Sequence, residues 1–291
     1  MFRISITNSV IRLAESFFNS LLLPPFMFLV EKKIIQSRHL DREVSLDIFL
    51  PATLPENTLP RLLVINDGQD MEKLGLPGML NEMYASGRIT NQLFAVGVHA
   101  GERLLEYGTA STLDYLGRGY QAKNYSRFVI EELLPFLLQE YNLPEFSDRA
   151  ITGFSLSALS ALDIVWANPS IFNLAGVFSG SLWWRSKGLD EGYVESEDRI
   201  MHALIRKGRY NAGQRFFFEA GALDETADRN HNGIIDSIDD TLALIEELEI
   251  KGYQRDLDIR YVELPDGKHD VETWGRAMPE FLAWGWPAGK Q

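Results

Sequence analysis

Beyond residue 33 the chain alternates between short β-branched runs and longer segments in which apolar residues recur at three and four positions. Residues 34–37 and 44–50 are polar and apolar by turns and flank His39, Leu40, Asp41 and Arg42, which predicts an antiparallel hairpin ended by Pro51. Residues 61–65, 93–98, 150–152, 174–178, 215–219 and 258–262 are short and mostly apolar, the pattern of interior strands covered on both faces. Helices are predicted over 125–141, 156–167, 239–251 and 271–284. Such an order implies an α/β fold: a mostly parallel central sheet, helices on both faces and an antiparallel N-terminal hairpin. Ligands of such sheets bind beyond the carboxyl ends of the strands, so the loops there are where chemistry is expected.

Ahead of this pattern, residues 17–30 are rich in Leu and Phe. The stretch is too short to span a bilayer, Pro24 and Pro25 interrupt it, and no small-x-small cleavage pattern follows. Residues 1–32 therefore read as an N-terminal helix or arm and 33–291 as one catalytic domain, with a membrane-surface contact or an export signal as the alternatives. No transmembrane segment is expected, and the expected location is cytoplasmic. Within the 291 residues no Pro/Ser-rich linker or internal repeat divides the chain. The formal charge of −13 disfavours nucleic acid, whose binding depends on Lys and Arg neutralising phosphates. The absence of cysteine excludes disulfides, zinc-thiolate centres and a thiol nucleophile.

The strand ending near Thr152 runs straight into Gly153-Phe154-Ser155-Leu156-Ser157 and then a helix rich in small residues. A serine on such a sharp strand-to-helix turn is lifted clear of the sheet, and the next N–H, that of Leu156, points from a helix start toward an oxyanion. Helix capping by Ser155 is the alternative. Serine at 157 departs from the G-x-S-x-G pattern and is expected to be small enough to fit.

A serine hydroxyl needs a base, and histidine has the suitable pKa. In the chain order Ser, acid, His, the base follows the last strands, and His269 lies between a strand and the C-terminal helix. Asp224, after the strand at 215–219, is the expected acid, with Glu225 and Asp228 as competitors. The second oxyanion donor is expected from the loop after residue 65, at the N–H of Gly68 or Gln69.

Residues 228–239 form a second constellation. Asp228, Asn230 and Asn232 with Gly233 match D-x-N-x-N-G, the Ile234 carbonyl adds an oxygen, and Asp236 and Asp239 occupy the ninth and twelfth positions. A bound calcium, structural and not catalytic, is expected, against the alternative of a polar loop whose side chains bond their own backbone. No cofactor is expected for catalysis.

The chain resembles the esterase family that includes esterase D, the enterochelin esterases and the mycolyltransferases. The resemblance runs from about Lys33 onward and rests on Val64-Ile65-Asn66-Asp67-Gly68-Gln69, Gly101-Glu102-Arg103, Glu106-Tyr107-Gly108, Gly117-Arg118-Gly119, Glu132-Leu133-Leu134-Pro135, the Ser155 turn, Ser179-Gly180-Ser181-Leu182-Trp183-Trp184 and Gly267-Lys268-His269. It implies the α/β-hydrolase fold and a serine carboxylic-ester hydrolase working through an acyl-enzyme, with Ser155, His269 and Asp224 as its triad. Tyr107, Arg118, Trp183 and Trp184 are the candidate substrate contacts, beside the reading of the first two as a structural ion-pair and aromatic cluster and of one of the two tryptophans as core. The partner is a small-molecule ester, and a homodimer is left open. An acyltransferase on the same residues and a non-catalytic binding protein on this scaffold are the rival readings.

Overall fold

Alternation along each strand decides which core each side chain enters. In β3 (Arg61–Asn66), Leu62 and Val64 join one buried cluster while Leu63 and Ile65 join another, because successive side chains leave opposite faces of a sheet. The computed structural model describes residues 28–52, 58–90 and 92–288. Its other strands are β1 (Phe28–Ser37), β2 (Arg42–Pro51), β4 (Leu93–Val98), β5 (Asp148–Phe154), β6 (Leu174–Phe178), β7 (Arg215–Leu223) and β8 (Ile259–Lys268). They form a single sheet in the order β1-β2-β4-β3-β5-β6-β7-β8. The β1–β2 and β2–β4 pairs are antiparallel and all others parallel, the architecture expected from the sequence.

Helices α1 (Leu76–Ala85) and α9 (Val271–Gly285) cover one face. The other is covered by α3 (Ala122–Arg127) and α4 (Leu134–Glu140), by α5 (Leu156–Ala167), α7 (Ile200–Lys207) and α8 (Asp236–Lys251). Two short helices, α2 (Arg103–Glu106) and α6 (Glu195–Asp198), complete the set among the described residues. The single helix expected over 125–141 contains a π-helical segment, Phe128–Leu133. Pro135 follows it; a proline cannot supply the N–H that a regular turn needs there.

Two strand ends differ from the sequence reading in ways that matter. The hairpin starts at Phe28, so residues 28–32 belong to the sheet and the domain boundary placed at 33 is corrected; the helix or arm expected over residues 1–32 otherwise lies outside the described residues. As an edge strand, β1 carries the charged run Glu31, Lys32 and Lys33, which hides it from a search for apolar runs. At the other edge, β7 and β8 run past 219 and 262 and stay paired, with a bulge at Gly221/Leu223, until Leu223 meets Lys268. A Cβ on Gly221 would lie 2.6 Å from the Gly267 carbonyl carbon, so glycine alone permits that approach. The extension carries the loops bearing Asp224 and His269 side by side. No helix among the described residues is long and apolar enough to cross a membrane.

Candidate active site

Ser155 occupies the one-residue gap between β5 and α5 with φ 57° and ψ −119°, a conformation non-glycine residues adopt only under constraint. The constraint is visible. Its N–H donates to the Phe178 carbonyl at 2.9 Å and its carbonyl accepts the Ser181 N–H at 3.1 Å, pinning the turn to the end of β6. A Cβ on Gly153 would sit 2.5 Å from the Ser157 carbonyl, which explains the glycine.

Ser157 does more than fit. Its buried hydroxyl accepts the Phe154 N–H at 2.8 Å and donates to Asp67 Oδ2 at 2.6 Å. Asp67, itself at φ 59°, takes two further bonds from Arg103, Nε at 2.8 Å and Nη2 at 3.0 Å, and Arg103 reaches the Phe154 carbonyl at 3.3 Å. The departure from glycine at 157 thus ties the serine turn to the loop after β3.

His269 Nε2 lies 2.8 Å from Ser155 Oγ. Burial is the main cause that lowers its pKa and the Arg103 charge adds to it, while the Asp224 charge opposes; the imidazole is therefore neutral and able to accept a proton at neutral pH. Asp224 makes no direct hydrogen bond to His269. Its Oδ2 accepts the Gly221 N–H at 3.2 Å, its Oδ1 is buried and unpartnered, and burial raises its pKa against the pull of Ser179 and His269. Of the competitors, Asp228 is occupied elsewhere, by the N–H groups of Asn232 and Gly233 at 3.1 and 2.9 Å, whereas Glu225 lines the same cavity as His269 with its Oε1 buried and unpartnered.

For an oxyanion, Leu156 heads α5, so its N–H has no acceptor within the helix. Gly68 and Gln69 open a 3-10 turn, Gly68–Asp70, in the same position relative to β3. The glycine is needed for packing: a Cβ there would lie 2.4 Å from the Gly97 carbonyl carbon of β4. The Gln69 side chain is spent on Ala100 and Asp67.

Ser155, His269 and Asp224 open onto a cavity of about 250 Å³ also lined by Ser179, Gly180, Ser181, Trp183, Glu225 and Ser237. Of the four candidate substrate contacts only Trp183 lines it. Tyr107 and Trp184 are corrected: both are fully buried, and the Tyr107 hydroxyl accepts the Asp67 N–H at 3.3 Å. Arg118 is corrected as well, because it pairs with Asp114 and packs over Trp183 and Trp184 at 5.1 and 5.3 Å, bracing the wall from behind. Sequence reasoning missed Ser179 and Ser181, whose Oγ is 3.5 Å from that of Ser155; their position directly after a strand end was the available signal.

In the calcium-type loop, Asn230 and Asn232 both reach Asp239, at 3.0 and 2.9 Å, and Asp228 folds over the same turn. The Ile234 N–H bonds Asn232 at 2.8 Å. Asp236 leaves the expected ligand set: it begins α8, three residues ahead of the predicted start at 239, and binds the Arg229 backbone N–H at 2.9 Å and its guanidinium at 3.3 Å. Among the described residues no group of three or more His, Cys, Asp or Glu side chains is placed to hold a metal ion.

Comparison with known proteins agrees with this picture. A protein of Bacillus subtilis (strain 168), "Uncharacterized protein YjcH", is 24% identical over 249 residues, 84% of this chain and 92% of the relative. Among solved structures, a ferulic acid esterase aligns with a TM-score of 0.64 at 18% identity, covering 90% of this chain and 98% of its own. The enterochelin esterase of Shigella flexneri aligns at 0.65 and 21% identity over 92% of this chain, which spans 60% of that longer protein. The siderophore hydrolase EstB of Aspergillus nidulans aligns at 0.63 and 16% identity, with coverage of 92% and 96%. At these identities the structures speak for the fold. The family described as "Putative esterase" matches residues 37–284, most of the chain, so the protein belongs to that family and is an ester hydrolase built on the α/β-hydrolase fold.

Proposed function

We propose that the protein cleaves small carboxylic esters through an acyl-enzyme on Ser155. The single observation that carries this is the 2.8 Å contact between Ser155 Oγ and His269 Nε2 at the mouth of a cavity. In the first step the Oγ–H proton passes to His269 Nε2 as Oγ bonds the ester carbonyl carbon. Leu156 N–H and the Gly68–Gln69 turn receive the oxyanion, and Asp224 balances the imidazolium. Collapse breaks the bond to the alcohol oxygen, which takes the proton from His269. Water then repeats the sequence and frees the acid. Trp183 offers the cavity an aromatic wall, suited to an acyl group with a flat or apolar body. The similarity to a ferulic acid esterase supports aromatic esters as the first to assay.

A fluorophosphonate probe tests the nucleophile directly. One covalent adduct is expected, on the peptide containing Ser155, and an unmodified protein would sink both the mechanism and the hydrolase reading of this site.

We also propose a structural calcium in the 228–239 loop, held by Asp228, Asn230, Asn232, Asp239 and the Ile234 carbonyl. The D-x-N-x-N-G spacing, which gathers Asp228, Asn230, Asn232 and Asp239 on one turn, supports it. Calcium at about a hundred times its dissociation constant should stabilise the fold by about 2.7 kcal/mol, visible as a higher Tm that EDTA reverses. No heat of binding and an unchanged Tm would leave a self-bonded polar loop.

A further inference from the structure

The cavity beside Ser155 holds one more acid than the reaction above uses. Its titratable lining is His269, Asp224 and Glu225; no lysine or arginine lines it, and the remaining wall is four serines, Gly180 and Trp183. Glu225 Oε1 and Asp224 Oδ1 are buried without a partner, and neither carboxyl enters an ion pair among the described residues. The nearby acids of α8 differ: Asp236 is paired with Arg229 at 3.3 Å and Asp240 with Arg199 at 2.7 Å. A carboxylate in a protein wall without a counter-charge is costly. In the mechanism above the imidazolium answers Asp224 during turnover, which leaves Glu225 unanswered.

Its place suits a ligand. Ser237, the second residue of α8, lines the same cavity, is 8% exposed, and has a hydroxyl that is also buried and unpartnered. Because no protein group holds Glu225 Oε1 or Ser237 Oγ, a ligand engages them without breaking an existing bond. About 250 Å³ is room for about eight waters, and hence for an acyl group of benzoyl size lying along Trp183. Arg118 and Arg185 stack on Trp183, at 5.1 and 5.9 Å from its ring, but neither lines the cavity. Arg118 is matched by Asp114, and Arg185 lies over the Tyr115 ring at 4.7 Å.

We propose that Glu225, with Ser237 beside it, is a specificity-determining residue that binds a protonated amine at the far end of the acyl group, so that the preferred substrates are esters of cationic acids. This rests on the acyl-enzyme reading given above. The ester carbonyl lies at Ser155, the body of the acyl group runs along Trp183, and the ammonium donates to the Glu225 carboxylate and the Ser237 hydroxyl. An acyl group ending in a carboxylate meets Asp224 and Glu225 as like charges and is rejected.

Three para-nitrophenyl esters of matched size test it, those of para-(aminomethyl)benzoic, para-(hydroxymethyl)benzoic and para-ethylbenzoic acid. At neutral pH the wild type should show a kcat/KM at least about tenfold higher for the amine than for the ethyl ester, chiefly through KM, with the hydroxymethyl ester between them. Glu225→Gln keeps the shape and loses the charge, and should bring the amine-to-ethyl ratio to within about twofold of one. Since the ratio is read within each protein, a general loss of rate cancels. An unchanged ratio in the variant overturns the proposal, because Glu225 would then act on His269 and not on the substrate. A wild type that does not separate amine from ethyl, or that prefers the hydroxymethyl ester to the amine, overturns it even if Glu225→Gln does not fold. Para-(aminomethyl)benzamide carries the amine and no ester, and calorimetry should find it bound at least about tenfold more tightly than para-ethylbenzamide. Equal binding of the two amides overturns the subsite. The expected preference in a protein that the phosphonate fails to label would sink the nucleophile assignment and leave the amine subsite standing.

Discussion

Ser155→Ala should lower kcat/KM on a short chromogenic ester by about 10⁴-fold to 10⁶-fold while the folded protein persists. In the proposed mechanism attack and proton transfer both pass through the Oγ that stands 2.8 Å from His269. Whatever rate survives would come from the oxyanion donors and from binding, which act without the nucleophile. The fold should tolerate the change well. Ser155 Oγ contacts only His269 and, at 3.5 Å, Ser181, and the turn itself is held by backbone bonds to Phe178 and Ser181 that alanine keeps. The φ of 57° disfavours alanine as it does serine. Retention of more than a tenth of the activity would remove Ser155 from the mechanism. A matching loss in His269→Ala, with little further loss in the double variant, is the signature of two groups acting as a unit.

Asp67→Ala should destabilise the protein by about 3 kcal/mol and cost about 10²-fold in kcat/KM, although the side chain reacts with nothing. Asp67 is 2% exposed and collects Arg103, Ser157 and Gln69. Its removal strands those donors, puts an alanine at φ 59°, and frees the turn that carries the Gly68 N–H. Ser157→Ala breaks one strand of the same network and should cost about 1–2 kcal/mol in urea unfolding. Because the two side chains share a hydrogen bond, the double variant should lose less than the two singles together. Strict additivity would mean that the 2.6 Å contact between them carries no energy. Asp67→Asn, which tolerates a positive φ and keeps an acceptor, should recover part of both losses.

Much of this protein was legible in its residues because local rules governed them. The interior strands are short apolar runs, and β4 and β6 begin and end where the pattern places them. Helix α5 does the same, since a strand, a strained serine and a run of small residues leave the chain little choice. The order of serine, acid and histidine left His231 and His269 of the five histidines, and the place of His269 between a strand and the C-terminal helix chose it before any distance was known. Strand ends were harder. What carries β8 beyond Val262 is pairing with β7 through Gly221 and Gly267, and pairing is not written in either strand alone.

The roles of side chains drawn from distant segments were decided only in three dimensions. Tyr107 and Trp184 look like ligand contacts in a list of aromatic residues; burial against the serine helix makes them core. Ser157 looks like a compromise until Asp67, far away in the chain, is found accepting its proton. Glu219 reads as the last residue of an apolar strand, and only the fold buries it fully with the Ser179 hydroxyl 3.4 Å away. Period and turn chemistry act over a few residues, so the sequence by itself determined the layers and the serine turn, and pointed to His269 as the candidate base. Burial, charge coupling and shared hydrogen bonds depend on which segments the sheet brings together. They therefore decided which aromatics face the cavity and what holds the turn in place.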